Sequence, residues 1–416
     1  MAEEVEPVED FRARARVWIT ANLERLDRNH PANLRLDEGR REHEAQLQRT
    51  LFDAGFAGLC FPREYGGQGL TPAHQRAFTE EAQGYDMPIL LNVPTLGILA
   101  PTLLDFGTHE QKLRHLPPIL RGEALWVQFL SEPSGGSDLA GVLTRAERDG
   151  DEFVLNGSKI WSSGAHESHW AMCLARTNWD APKHRGLTMF LLEIHQPGVT
   201  VEQIRQVDGS MEFCQEFFDD VRIPASDVIG EVDEGWTVAT ALLVHERNAT
   251  GGGSPYTSGR SSGHASSELD RTIADLALEV GRASEPHVRQ LIGESHAREL
   301  VGGQLVRRIT RGVASGAMAP AASSLLKLFA ATSVMRRCDL ALEVAGDASV
   351  AWPAGATSGA RVISEYSLWR QGLSLGGGSN EIQRNIISER LLGMPRELAA
   401  DRDVPYREVR RSPGRG

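Results

Sequence analysis

Several short stretches of this chain combine residue types that do chemistry. Glu246-Arg247 closes the apolar run Val238-Ala239-Thr240-Ala241-Leu242-Leu243-Val244-His245. Burial on an apolar helix disfavours the charged form of a carboxyl and raises its pKa, which suits a general base. The plainer account of the same pair is an ion pair or a solvated face. Ser134-Gly135-Gly136-Ser137-Asp138 is a small-residue loop whose backbone N–H groups can approach an anion; taken alone it is a turn. Lys159-Ile160-Trp161-Ser162-Ser163 offers an aromatic face and hydroxyls, although an isolated Trp161 reads first as a core residue. Gly376-Gly377-Gly378-Ser379-Asn380-Glu381 is a glycine corner ahead of a helix, and it carries a second carboxylate, Glu381.

Other apparent motifs lack their structural setting. Gly259-Arg260-Ser261-Ser262-Gly263 lies in a Gly/Ser-rich stretch, without the strand and helix that a nucleophile elbow needs. His166-Glu167-Ser168-His169 lacks the i, i+4 spacing of a zinc helix. No Gly-x-Gly-x-x-Gly follows a strand pattern, which argues against a nicotinamide-binding domain.

The elements that must position these groups change type along the chain. Residues 1–125 read as helices: Phe11, Ala15 and Trp18 share a face, as do Leu47, Leu51 and Ala54, and Thr71-Pro72 is a helix start. Residues 126–233 read as strands, with tight-turn signals at Asp149-Gly150 and Asn156-Gly157 and an apolar run from Leu187 to Ile194. Residues 234–398 read as a helical bundle interrupted by a Gly/Ser-rich linker at 251–267, and 399–416 as a disordered basic tail. The expectation is a multidomain α+β chain: an N-terminal α-helical domain, a middle β-barrel or sandwich, and a C-terminal helical bundle.

Bulk composition bounds the function. The net charge of -12 over 416 residues argues against nucleic acid as the main partner, because phosphate binding needs clustered Lys and Arg. Cys60, Cys173, Cys214 and Cys338 are widely spaced, which suggests neither a zinc site nor a disulfide framework. No apolar run approaches the ~20 residues that cross a bilayer, and the N-terminus lacks a signal-peptide pattern. No membrane association and a cytoplasmic location are expected.

Leu130-Ser131-Glu132-Pro133-Ser134-Gly135-Gly136-Ser137-Asp138 and Lys159-Ile160-Trp161-Ser162-Ser163, in this order and spacing, resemble the two flavin-proximal signatures of acyl-CoA dehydrogenases. Phe61-Pro62-Arg63-Glu64-Tyr65-Gly66-Gly67-Gln68-Gly69-Leu70 is similar to a third family loop, and the resemblance spans roughly residues 5–398. It implies FAD as cofactor and α,β-dehydrogenation of an acyl-CoA thioester in fatty acid or lipid metabolism. It further implies that Leu130, Ser131, Ser137, Trp161, Ser163, Ser379 and Glu381 bind the cofactor. Ser137, Arg247 and Gly377 would face the substrate. Most family members carry the catalytic Glu where this chain has Gly377; a minority place it just before an Arg on another helix, which here is Glu246. The implied partners are an electron-transfer flavoprotein and further subunits, in a homo-oligomer (dimer or tetramer) or a hetero-oligomer. The family's Arg-x-x-Phe-Gly and Gln-x-x-Gly-Gly motifs for the FAD adenosine are missing. A flavin-dependent oxidase or monooxygenase, and a non-catalytic partner subunit, stand as alternatives.

Overall fold

The computed structural model describes residues 5–25, 38–88, 92–250, 254–257, 273–351, 358–396, 398–399 and 401–409. Helices at Val8–Asn22 (α1), Glu38–Asp53 (α2) and Pro72–Glu81 (α3) form the first layer. The α1 face that buries is Phe11, Ala15 and Ile19, at the i, i+4, i+8 spacing of one helical stripe. Thr71 and His74 close a capping box at the start of α3, with Pro72 at the first helical position, where a missing N–H costs nothing. The next helix (α4) runs through a π turn at Thr95–Leu99 into Ala100–Phe106, and His109–Leu120 (α5) follows it.

The middle of the chain forms one eight-stranded sheet ordered β6-β7-β3-β2-β4-β5-β8, with β1 paired to β4. The strands are β1 Trp126–Phe129, β2 Arg145–Asp149, β3 Glu152–Ser163, β4 Trp170–Arg176, β5 Leu187–Glu193, β6 Val199–Gln203, β7 Phe213–Pro224 and β8 Val228–Ile229. The sheet curls on itself, so that Phe129 of β1 meets Phe218 of β7 with ring centroids 5.9 Å apart. A second core joins it to α4, α5 and the next helix through residues such as Leu99, Leu116, Met172, Leu191 and Leu242.

One expectation changes here. Asp149-Gly150 does turn β2 into β3, but Asn156-Gly157 lies inside β3 as a bulge opposite β7. Gly157 has φ +146°, and a Cβ on it would stand 2.7 Å from the Thr144 Cα, so the signal marks a close backbone approach rather than a hairpin.

The remaining described helices are Gly235–Thr250 (α6), 273–279 (α7), Pro286–Ala314 (α8), Ser323–Ala345 (α9), Gly359–Trp369 (α10) and Asn380–Ile386 (α11). Helices α7, α8, α9 and α10 share a core that includes Leu276, Val288, Leu340, Val344 and Ile363. Helix α10 was not anticipated from the sequence. Of the expected linker at 251–267, all but 254–257 lies outside the described residues. The expected tail is only partly a tail, since residues 401–409 pack on the β domain. Tyr406 is buried there, stacks on Arg176 at 3.6 Å and donates to the Gly141 carbonyl at 2.6 Å. No helix of the described residues is long and apolar enough to cross a membrane.

Candidate active site

Helix α6 explains how a carboxyl reaches the interior. Val238, Ala239, Leu242 and Ala249 lie on its buried stripe, and Glu246 falls between the last two at i, i+4 from Leu242. Glu246 is therefore 8% exposed. Burial pushes its carboxyl pKa up, opposed by a hydrogen bond from Gln128 and by the charges of Arg247 and Lys327. Gln128, on β1, donates from Nε2 to Glu246 Oε2 at 3.1 Å.

The other carboxylate oxygen points at the glycine corner. Gly377 has φ +68°, and a Cβ built on it would lie 3.4 Å from Glu246 Oε1 and 3.3 Å from Lys327 Cε. A side chain from 377 would therefore enter the space that Glu246 reaches from a different helix. The corner is tied down at both ends: Lys327 donates to the Leu373 carbonyl at 2.5 Å, and Gln383 to the carbonyls of Gly377 and Gly378 at 3.1 and 3.2 Å. Ser379 caps α11 by accepting from the Ile382 N–H. Glu381 stands apart, exposed and paired with Arg384 at 3.2 Å, so the two candidate carboxylates do not converge.

The β-domain half of the site is built on a distortion. A register shift between Ile160 and Ser162 coincides with φ +69° at Trp161, one of few non-glycine residues on the positive side. The bulge turns the indole outward, leaving it 55% exposed, with Ser163 exposed and Ser162 buried. Ile160 N–H donates to the Ser131 carbonyl at 3.0 Å, which joins the two signature segments side by side. Ser131 is half-buried, Leu130 buried, and Ser137 exposed on the glycine loop.

Beneath these segments lies a polar cluster that sequence reasoning did not assign. Lys159, fully buried, donates to the Leu130 carbonyl at 3.0 Å and to Glu132 Oε1 at 2.9 Å. Glu132 also accepts from the N–H groups of Leu143 and Thr144, at 2.6 and 2.9 Å. Burial alone would raise the Glu132 pKa, but Lys159 and the backbone donors carry it below the ordinary value. Glu216, paired across the sheet with Lys159, accepts from the Ser162 hydroxyl at 3.0 Å, and burial pushes its pKa up to about 7. Both members of the ion pair were visible inside the two signatures. Their contact spans 27 positions of chain and no local pattern displays it.

Thus the structure brings Glu246, Gly377, Gln128 and Lys327 together on one side, and Leu130, Ser131, Trp161 and Ser163 together on the other. Arg247 is half-buried beside Glu246; burial lowers its pKa and the Glu246 charge opposes that shift. Among the described residues no group of three or more His, Cys, Asp or Glu side chains is placed to hold a metal ion. The four cysteines are free.

Comparison with known proteins covers the whole site. The acyl-CoA dehydrogenase N-terminal, middle and C-terminal domain models match residues 8–123, 128–221 and 233–392. The acyl-CoA dehydrogenase IpdE1 of Mycobacterium tuberculosis (strain ATCC 25618 / H37Rv) is 37% identical over 404 residues, covering 94% of this chain and 99% of that protein. A solved structure described as the Tcur3481-Tcur3483 steroid ACAD superposes with a TM-score of 0.77 at 29% identity, covering 94% of this chain and 99% of its own. The ChsE4-ChsE5 complex from Mycobacterium tuberculosis superposes at 0.73 and 27% identity, covering 95% and 100%.

Proposed function

This chain belongs to the acyl-CoA dehydrogenase family, and on that premise we propose that Glu246 is the base with which it desaturates a bulky, ring-bearing acyl-CoA thioester. The observation that carries the assignment is the meeting of the Glu246 carboxylate with the side-chain-free corner at Gly377, 3.4 Å from where a Cβ would stand. A general base benefits from a pKa raised toward the working pH and from a neighbour without a side chain, and Glu246 is buried beside Gly377.

Members of this family are FAD-dependent, and the residues here fit that group. An outward indole at Trp161, hydroxyls at Ser131 and Ser163, and glycines 135 and 136 that carry only hydrogens form an edge suited to a ring system and its phosphates. Held there, FAD would supply the acceptor for a hydride from the substrate β-carbon. In the proposed reaction Glu246 takes the proton from the α-carbon, and its conjugate acid is stabilised by the same burial that raised its pKa. The Gly377 N–H is proposed to polarise the thioester carbonyl, a role that needs no side chain. Arg247 and Ser137 are assigned to hold the CoA side of the thioester, and Ser379 and Glu381 to the cofactor side.

Two features support the substrate class. The glycine corner at 376–378 removes side-chain bulk from one wall, and a structural relative at 29% identity is described as a steroid dehydrogenase. The same relatives support a hetero-oligomer, since one is a complex of two named chains and this sequence lacks the usual adenosine-binding motifs. An electron-transfer flavoprotein is proposed as the oxidant.

The test is anaerobic bleaching of the bound flavin by a panel of acyl-CoAs. Reduction by ring-bearing or branched thioesters ahead of straight chains is expected, and preference for straight chains over every bulky substrate would overturn the substrate assignment.

A further inference from the structure

Lys327 lies near the base, and the sequence patterns give it no role. It projects from α9, half-buried, and its side chain does two things at once. Its Nζ donates to the Leu373 carbonyl at 2.5 Å, at the mouth of the turn that becomes Gly376-Gly377-Gly378. Its Cε comes within 3.3 Å of the point a Gly377 Cβ would occupy, where Glu246 Oε1 lies at 3.4 Å. The ammonium stem and the carboxylate therefore converge on the same corner from α9 and α6.

We propose that Lys327 is a positioning residue for the dehydrogenation: it anchors the glycine turn through the Leu373 carbonyl and brings its ammonium to the corner that Glu246 also reaches. The proposal rests on Glu246 being the base. Three groups that face Glu246 come from different places in the fold. Arg247 comes from the same helix and is itself close to Arg390; Gln128 comes from β1 and is neutral; Lys327 is the cation supplied by α9. Burial lowers the Lys327 pKa while the Glu246 charge raises it, as expected for opposite charges that favour each other's ionised form. Without that cation, burial of Glu246 is less opposed, so ionised base is available only at higher pH. Without the tether, the turn keeps its Gln383 bonds at 377 and 378 and loses its hold at 373.

Anaerobic flavin reduction of the holoenzyme by a saturating acyl-CoA, followed across pH, separates these roles. Lys327→Met is expected to slow the limiting rate near neutrality about 10- to 100-fold, the scale of a misplaced catalytic group, and to move the acid limb to higher pH. Lys327→Gln keeps a donor for Leu373 without the charge, so it should show the displaced limb with a smaller loss of rate. Lys327→Arg should restore the wild-type limb. An infrared carbonyl band that disappears in Glu246→Gln should persist to higher pH in Lys327→Met than in wild type, a readout independent of turnover. A wild-type limb and rate in both the Met and Gln variants would overturn the proposal. Near-normal reduction by Glu246→Gln would instead overturn the base assignment, leaving the two failures distinct.

Discussion

The two walls of the site solve the burial of charge in opposite ways. On the β-domain wall, Lys159 and Glu132 are both buried, and their contacts include each other, the Leu130 carbonyl and the Leu143 and Thr144 N–H groups. On the helical wall, Glu246 receives Gln128 at one oxygen and turns the other to the glycine corner, while Gln128 Oε1 has no hydrogen-bond partner among the described residues. Burial pushes both carboxyls up, but Lys159 and the backbone donors bring Glu132 below its ordinary pKa while Glu246 stays above its own. An ion pair with backbone donors fixes backbone shape, whereas a carboxyl whose burial outweighs its partners keeps affinity for a proton.

Replacing Glu246 by Gln removes the proposed base without removing shape. Anaerobic flavin reduction by acyl-CoA should fall by about 10³- to 10⁴-fold, with FAD content retained. Because the folded pKa of Glu246 is raised, its contribution to stability is present below the unfolded pKa and lost as pH rises through the folded value. The variant should therefore be no less stable than wild type in urea at pH 8.

Lys159→Met should show the reverse pattern. It strands Glu132 as a buried charge, at about 3–5 kcal/mol in urea unfolding, and frees the Leu130 carbonyl, so FAD per chain should drop. Full FAD content at unchanged stability would break the contrast between the walls.

Gly377→Ala tests how tightly the corner is closed. A methyl there meets Lys327 Cε at 3.3 Å and Glu246 Oε1 at 3.4 Å on a backbone at φ +68°. The expected result is about a tenfold fall in flavin reduction, with about 1 kcal/mol of backbone strain in the unfolding curve.

Glu216→Gln should give the smallest effect. The Glu216 pKa is raised to about 7, so its stabilising contribution is complete below the unfolded value, near 4.5, and is lost as pH rises through about 7. The amide, which keeps an acceptor for Ser162, should gain about 1–2 kcal/mol over wild type at pH 8 and little at pH 4.

The sequence disclosed one wall's chemistry better than the other's architecture. Glu246 could be read from the apolar run before it, because helical spacing from Leu242 fixes which side it takes. Gly377 could be read from the glycine corner and the family pattern. Trp161 and Ser163 were readable as signature residues, but the bulge that turns them outward was not, since Asn156-Gly157 and the Ile160/Ser162 shift look locally like ordinary strand and turn. Lys159 with Glu132, Lys327 with Leu373, and Tyr406 with Gly141 are joined across 27, 46 and 265 positions. Such pairs follow from the packing of whole elements, and a window of a dozen residues carries no trace of them. The tail is the clearest case: its Arg-rich composition reads as solvated, yet Tyr406 docks on the Arg176 guanidinium beside the Trp179 ring.

If the α-proton leaves through Glu246, as proposed, its departure can be followed directly. With an acyl-CoA tritiated at the α-carbon, the wild-type holoenzyme should release tritium to water, and FAD-loaded Glu246→Gln should release almost none. Release by Glu246→Gln at the wild-type rate would contradict the assignment.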